Sequence, residues 1–274
     1  MRVIVAIDAS RCSQRAVDVA IDLAARRPGV ELTAVHIVNV VASSGSFLAD
    51  LPGRIGFEPA VVSAEVSQQH DEAGRALLAK AKAKGAEAGV EVRTVLDHGA
   101  VAERLGHHAS HADLIVLGQS GETEERFPGQ GGSTVNKVLV DVPSTALLVR
   151  EEGAPVRRVL LGYDGSTAAA HTVGLVNRLG AESVDELHAV WVNTGDVTTS
   201  PLADLPESLQ AFHLVTRELD GPGVSEAVVS YAEAAKIDTI AIGFSGASPV
   251  RDFLFGRGYE TLLRSHQFNL LIAH

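Results

Sequence analysis

The chain has 274 residues, 46% of them apolar, and a formal charge of −11 at neutral pH. That is apolar material for one large or two ordinary cores, while the acidic balance argues against general nucleic-acid binding, which needs a basic face to neutralise phosphates. No apolar run approaches the length that spans a bilayer, and the single cysteine, Cys12, leaves no internal disulfide to form.

The chain opens on Val3-Ile4-Val5-Ala6-Ile7-Asp8-Ala9-Ser10, a buried-strand pattern ending in an aspartate. No charged leader or apolar signal core precedes it, so a cytoplasmic protein is expected. A helix is expected over 13–27 with Ser13 as its N-cap, with Val17, Ile21 and Ala24 on one stripe and Arg15, Asp18 and Asp22 away from it. Strands near 31–39, 91–97, 113–118 and 144–150 then alternate with helices near 61–89, 99–110 and 132–141, a parallel-sheet rhythm. The Ala/Lys/Glu-rich stretch from Glu65 to Ala88 is the clearest helix, ending near Gly89.

After the short linker Glu151-Glu152-Gly153-Ala154-Pro155 the chain repeats itself. Val159-Leu160-Leu161-Gly162-Tyr163-Asp164-Gly165-Ser166 lies 156 positions beyond the opening strand (Asp8 to Asp164), and Asp238-Thr239-Ile240-Ala241-Ile242-Gly243-Phe244-Ser245-Gly246 lies 125 positions beyond its partner (Gly118 to Gly243). So long a period means duplicated domains rather than a solenoid. The drop in offset says that about thirty residues are missing between the second and fourth strands of the second copy, where Gly195–Pro206 replaces the long helix by a Thr/Pro/Asp-containing loop. Strands are expected near 157–163, 185–193, 211–217, 238–243 and 268–273. The fold class is therefore α/β: two tandem doubly wound domains with five-stranded parallel sheets, residues 1–150 and 156–274, the second trimmed by one helix. The terminal strands, Ala146–Val149 and its counterpart through Leu270-Leu271-Ile272, are edges expected to pair and pack the copies like a homodimer.

In an open parallel sheet, ligands bind beyond the carboxyl ends of the strands, where the strand order reverses. Asp8 and Gly118 fall there in the first copy, Asp164 and Gly243 in the second. A carboxylate accepts hydrogen bonds from ribose hydroxyls or an adenine amino group, and glycines let backbone amides approach phosphate oxygens. Gly132-Ser133-Thr134 opens a helix whose free amides suit an anion.

At these residues the chain resembles the universal stress protein family in its tandem, two-domain form; the resemblance runs through both copies from first strand to last. The strand-Asp-x-Ser opening and Asp-x-Ile-x-x-Gly-x-Ser-Gly are its markers. Nucleotide-binding members of that family carry Gly, two residues, Gly, nine residues, then Gly followed by Ser or Thr. The resemblance implies a five-stranded α/β fold, binding of ATP or AMP in some members, and dimer contacts through the last strand. It places Asp8 on the nucleoside, Ile37 against adenine, and Gly118, Gly121, Gly132 and Ser133 around the phosphates. In the second copy the matching positions are Asp164, Val192, Gly243, Gly246 and Gly256. Both copies depart from the pattern. Ten residues separate Gly121 from Gly132, and although Gly131 restores the spacing, Gly132 then stands at the hydroxyl position. In the second copy the spacing holds but Arg257 takes that position.

The local charges are mixed. Glu122, Glu124 and Glu125 follow the first glycine pair with Arg126 opposing them, a repulsion toward phosphate that a divalent cation would offset; Arg251 and Arg257 offer bidentate clamps in the second copy. Plainer readings stand beside these. Asp8 and Asp164 are also suited to capping the following helices, and Gly118 and Gly121 to simple turns. Gly129-Gln130-Gly131-Gly132-Ser133-Thr134 lacks the lysine and spacing of a phosphate loop. His107 and His111 stand one helical turn apart near His108 and Asp113, but an exposed polar face explains them without metal. Cys12 reads as a small residue, Trp191 as core, and Phe253 and Phe255 as packing. No nucleophile elbow or catalytic triad emerges, so no enzyme is expected. The expectation is a cytoplasmic adenine-nucleotide-binding stress-response protein with protein partners unspecified, its two copies forming an intramolecular pseudo-dimer open to further dimerisation. A nucleotide-free interaction scaffold and a hydrolase of related α/β fold are the competing classes.

Overall fold

The computed structural model describes residues 1–39, 59–121, 145–195, 199–221, 223–243 and 268–273, with side chains from 67 onward in the helix that starts at Pro59. The expected helix over 132–141 lies outside the described residues, as do Gly132, Ser133, Gly246 and Gly256, the charged residues Glu122, Glu124, Glu125, Arg126, Arg251 and Arg257, and Phe253 and Phe255.

Ten strands form one continuous sheet: β1 Arg2–Ala6, β2 Glu31–Val38, β3 Val92–His98, β4 Leu114–Gly118, β5 Ala146–Val149, β6 Arg158–Gly162, β7 Glu186–Asn193, β8 Leu214–Asp220, β9 Thr239–Gly243 and β10 Asn269–Ala273. Their spatial order is β3-β2-β1-β4-β5-β10-β9-β6-β7-β8. Within each half every pair is parallel; only β5 and β10, at the join, run antiparallel. The terminal strands thus pair with each other, as their apolar sequences and otherwise open edges demand. Val149 pairs with Gly118 and Ala273 with Gly243, so Leu147 and Leu271 are equivalent, and these two residues pair directly across the join. A pseudo-twofold axis therefore passes between Leu147 and Leu271, both fully buried.

The helices divide between the two faces. On one side lie α1 (Arg11–Arg26), α2 (Pro59–Glu87) and α4 (Thr167–Leu179), over a cluster that includes Val5, Val116, Leu147, Leu161 and Leu271. On the other side α3 (Val101–Ala109) and α5 (Val224–Ala234) cover Ile115, Leu148, Ile240 and Leu270. Because both faces are covered, the central strands are buried along their length, which is why they read as unbroken apolar runs.

Three expectations need correction. The N-cap of α1 is Ser10 rather than Ser13: the Ser13 backbone amide donates to Ser10 Oγ at 3.0 Å. Ser13 instead offers its own Oγ to the backbone amide of Asp8, 2.8 Å away, because the chain turns into the helix immediately after the strand. The eighth strand is Leu214–Asp220, three residues later than 211–217, since a 3-10 turn at Glu207–Ala211 and buried Phe212 occupy the start of that segment. The replacement for the long helix is not plain loop: that turn and another at Pro201–Asp204 bring Leu209, Phe212, Leu202 and Leu205 onto the core. These four side chains cover the apolar sheet face that α2 covers in the first half.

The polar side of α1, with Arg15 and Asp22, ties the helix to the linker and the second half. Asp22 takes Arg157 at 2.5 Å, Arg26 takes Asp185 at 2.5 Å, and Arg27 takes Glu182 at 2.5 Å. Arg15 Nε donates to the Gly153 carbonyl in the linker, and Arg11 meets Glu151 at 2.7 Å.

Candidate functional site

Both halves build the same local device where the strand order reverses, between β1 and β4 and between β6 and β9. In the first half, Asp8 Oδ1 accepts from the Ser10 amide at 2.9 Å, a turn that aims Ser10 to cap α1. In the second, Asp164 Oδ1 accepts from the Ser166 amide at 2.9 Å, and Ser166 Oγ caps α4 by accepting from Ala169 at 3.1 Å. Gly165 between them has φ +75, a left-handed conformation suited to glycine. The caps are thus the serines, Ser10 and Ser166, and the aspartates shape the turns that lead into them.

The glycines have separable duties. A Cβ on Gly118 would stand 2.7 Å from the Ser13 amide nitrogen and 2.8 Å from the Cys12 carbonyl carbon. On Gly243 it would stand 2.1 Å from the Ala168 carbonyl oxygen. These glycines let the first turn of α1 or α4 press onto the end of β4 or β9. Gly121 is different: among the described residues, a Cβ there would meet Asp8 Oδ2 at 3.1 Å and no backbone. Its bareness leaves room beside the Asp8 carboxylate. Ser120, between them, faces the Cys12 thiol at 3.1 Å.

Ile37 lies on β2 beside this end of the sheet, 9% exposed, with its side chain in the cluster under α3. His36 next to it holds the Ile7 carbonyl through Nδ1 at 2.7 Å, fixing β2 against the residue before Asp8. Asp97 pairs with Ile37 in register. Burial opposes its ionisation, but hydrogen bonds from Arg104 and His108, each 2.8 Å long, outweigh it and hold its carboxyl down to about 2. His108 is therefore spoken for by Asp97, while His107 and His111 lie with ring centroids 5.5 Å apart. Among the described residues no group of histidine, cysteine and carboxylate side chains is arranged to hold a metal ion.

In the second half Val192 is half-buried and Asp164 is exposed. Pro201, from the first 3-10 turn, lies 3.4 Å from where a Gly165 side chain would begin. The segment that replaced the long helix thus comes up to the Asp164 turn. The structure brings together Asp8, Gly118 and Gly121, with Ile37 on the next strand, and separately Asp164 and Gly243, with Val192 on the strand beside them.

The aspartate of the Asp-x-Ile-x-x-Gly marker belongs to the opposite end of the sheet. Asp113 accepts from the Arg2 amide at 2.6 Å, and Asp238 from the amides of Arg157 and Arg158 at 3.0 and 2.7 Å. Both fasten the start of the first strand of their half, and burial pushes the Asp238 carboxyl up. Sequence reasoning missed Arg150. It follows β5 directly and is 6% exposed, with no hydrogen-bond partner for Nε or Nη1. An arginine after an apolar strand reads by default as exposed, so nothing in the pattern singled it out.

Comparison with known proteins agrees with this architecture. The model of the universal stress protein family matches residues 1–150, more than half of the chain. The chain belongs to the universal stress protein family. Universal stress protein Slr1230 of Synechocystis is 24% identical over 283 aligned positions, covering 98% of both chains, so the likeness extends through the tandem arrangement. Universal stress protein YxiE of Bacillus subtilis is 31% identical over 122 residues, covering 44% of this chain and 79% of its own. Among solved structures, a universal stress protein from Archaeoglobus fulgidus superposes with a TM-score of 0.71 at 19% identity, covering 99% of this chain and 95% of that one. At that identity the likeness speaks to the fold.

Proposed function

We propose that this universal stress protein binds an adenine nucleotide, ATP or AMP, in its first half, and that occupancy stabilises a surface read by protein partners. The observation that carries the reading is the pairing of Asp8 with Gly121 at the β1–β4 reversal. One carboxylate oxygen shapes the turn, and the other stands beside a residue that has no side chain. Asp8 would take the ribose hydroxyls and Ile37 would offer an apolar edge to the base, while the Gly118–Gly121 turn faces the phosphates, with Mg2+ offsetting nearby acidic charge. The residues present fit such a group. The second half binds more weakly in this reading, because its aspartate is exposed and the Pro201 segment stands at its turn. The protein acts as a cytoplasmic binding and signalling component rather than an enzyme, and its paired halves serve as a built-in dimer.

The test is thermal stability and calorimetric titration with ATP, ADP, AMP and adenosine, on the wild type and on Asp8→Asn and Asp164→Asn. Asparagine preserves the acceptor that shapes the turn and removes the charge. Binding that is lost in Asp8→Asn and kept in Asp164→Asn is expected; no shift with any of the ligands would sink the proposal. The competing reading, a nucleotide-free interaction scaffold, draws on the structural duty that Asp8 and Asp164 already have in shaping the turns before the helix caps. It predicts no co-purifying nucleotide when the native protein is denatured and its extract weighed.

A further inference from the structure

Arg150 is an unusual residue for a core position. Its neighbours in sequence, Leu147, Leu148 and Val149, are fully buried, and it is itself 6% exposed. A guanidinium has five donors and almost never loses its charge, so burying one demands acceptors. Yet Nε and Nη1 find none. Burial is also the largest influence on its ionisation, pushing it below the ordinary arginine range, with the neighbouring Cys12 and Glu152 opposing this.

Its position gives this meaning. Val149, the preceding residue, pairs with Gly118, and its carbonyl accepts from the Gln119 amide at 2.7 Å. Arg150 therefore flanks the Gly118–Gly121 turn. Cys12, a neighbour of Arg150, sits in the first turn of α1 and touches Ser120 of that same turn at 3.1 Å. A buried cation with unused donors, a glycine turn and the amino end of a sixteen-residue helix meet at one place. Each favours an anion, and together they favour one with several oxygens.

We infer that Arg150 is a phosphate-recognising residue of the first half, supplying donors to a phosphoryl group seated at the Gly118–Gly121 turn. The inference deepens the nucleotide reading and rests on it for the nucleoside part of the ligand. It assigns to Arg150 the preference for a phosphorylated ligand over a bare nucleoside. The donors are held ready in the protein at the expense of its own stability, and the ligand satisfies them.

The experiment compares the full-length wild type with Arg150→Met and Arg150→Lys, reading melting temperature and affinity with inorganic tripolyphosphate, ATP and adenosine. Methionine fills similar space without donors, so the ligand-free Met variant should melt no lower than the wild type. Tripolyphosphate should raise the wild-type melting temperature and leave that of Arg150→Met unmoved. ATP affinity should fall roughly ten- to a hundredfold in the Met variant, as expected for losing charge-assisted hydrogen bonds, with partial retention in Arg150→Lys and no change for adenosine. A Met variant that melts well below wild type would make Arg150 a structural residue and overturn the inference. So would unchanged ATP and tripolyphosphate binding in the Met variant, which would leave the nucleotide reading intact. No response of the wild type to either polyphosphate would also overturn it. A tripolyphosphate response that depends on Arg150, with ATP no better than tripolyphosphate and adenosine unbound, would uphold Arg150 and refute the nucleoside part.

Discussion

Replacing Asp97 by asparagine should make the protein less stable at neutral pH and not at acid pH. The carboxyl is lowered from 3.8 to about 2 in the folded protein. That shift of nearly two units sets a ceiling of about 2 to 3 kcal/mol. The Asp97 side chain is 18% exposed and its partner Arg104 35%, so solvent screening reduces the expected contribution to about 1–2 kcal/mol. The folded-state value lies below the unfolded one, so the contribution is complete above roughly pH 5 and fades as the pH falls toward 2. Asparagine has no such dependence. Urea denaturation of wild type and Asp97→Asn at pH 7, 5, 4 and 3 should show a gap of about 1–2 kcal/mol at neutral pH that narrows steadily below pH 5. A gap as large at pH 3 as at pH 7 would refute the reasoning, because a charge-independent packing defect would then explain it.

Gly243→Ala should cost more than Gly118→Ala, about 2–3 kcal/mol against about 1–2, because its new methyl meets the Ala168 carbonyl at 2.1 Å rather than the Ser13 amide at 2.7 Å. Gly121→Ala should leave melting nearly unchanged while weakening nucleotide binding, which separates packing glycines from a ligand-facing one. Leu147→Ala and Leu271→Ala should each cost about 2–5 kcal/mol, and the double variant less than the sum, since the two fully buried side chains face one another across the join. A double-mutant cycle on Asp22 and Arg157 should give a coupling of about 1 kcal/mol that shrinks in high salt. Strict additivity would mean that the seam contributes nothing.

Much of the fold was readable because burial on both faces leaves a plain signature: β1 and β4 are apolar runs closed by an aspartate or a glycine, and the runs reappear in β6 and β9. The β5–β10 join followed from the same reasoning, since two apolar edges satisfy each other. The misreadings have local causes. Ser10 and Ser13 are both good caps, and only the turn made by Asp8 decides between them. The segment before β8 was strand-like in composition, yet Leu209 and Phe212 are needed as cover where α2 has no counterpart. The pairing of Asp8 with Gly121 was legible as a motif. The steric duty of Gly118 and the burial of Arg150 were not, because both depend on which helix or strand lies alongside.

The seam beside the pseudo-twofold axis carries an instruction about partnership. Arg26, the last residue of α1, and Glu182, just beyond the end of α4, lie 156 positions apart and carry opposite charges. Arg26 donates to the Glu182 carbonyl, and Arg27 pairs with the Glu182 carboxylate. The two halves of the duplicated chain therefore meet along this seam through unlike charges, arginines from the first and carboxylates from the second, so the contact has a direction that the shared fold by itself does not give it.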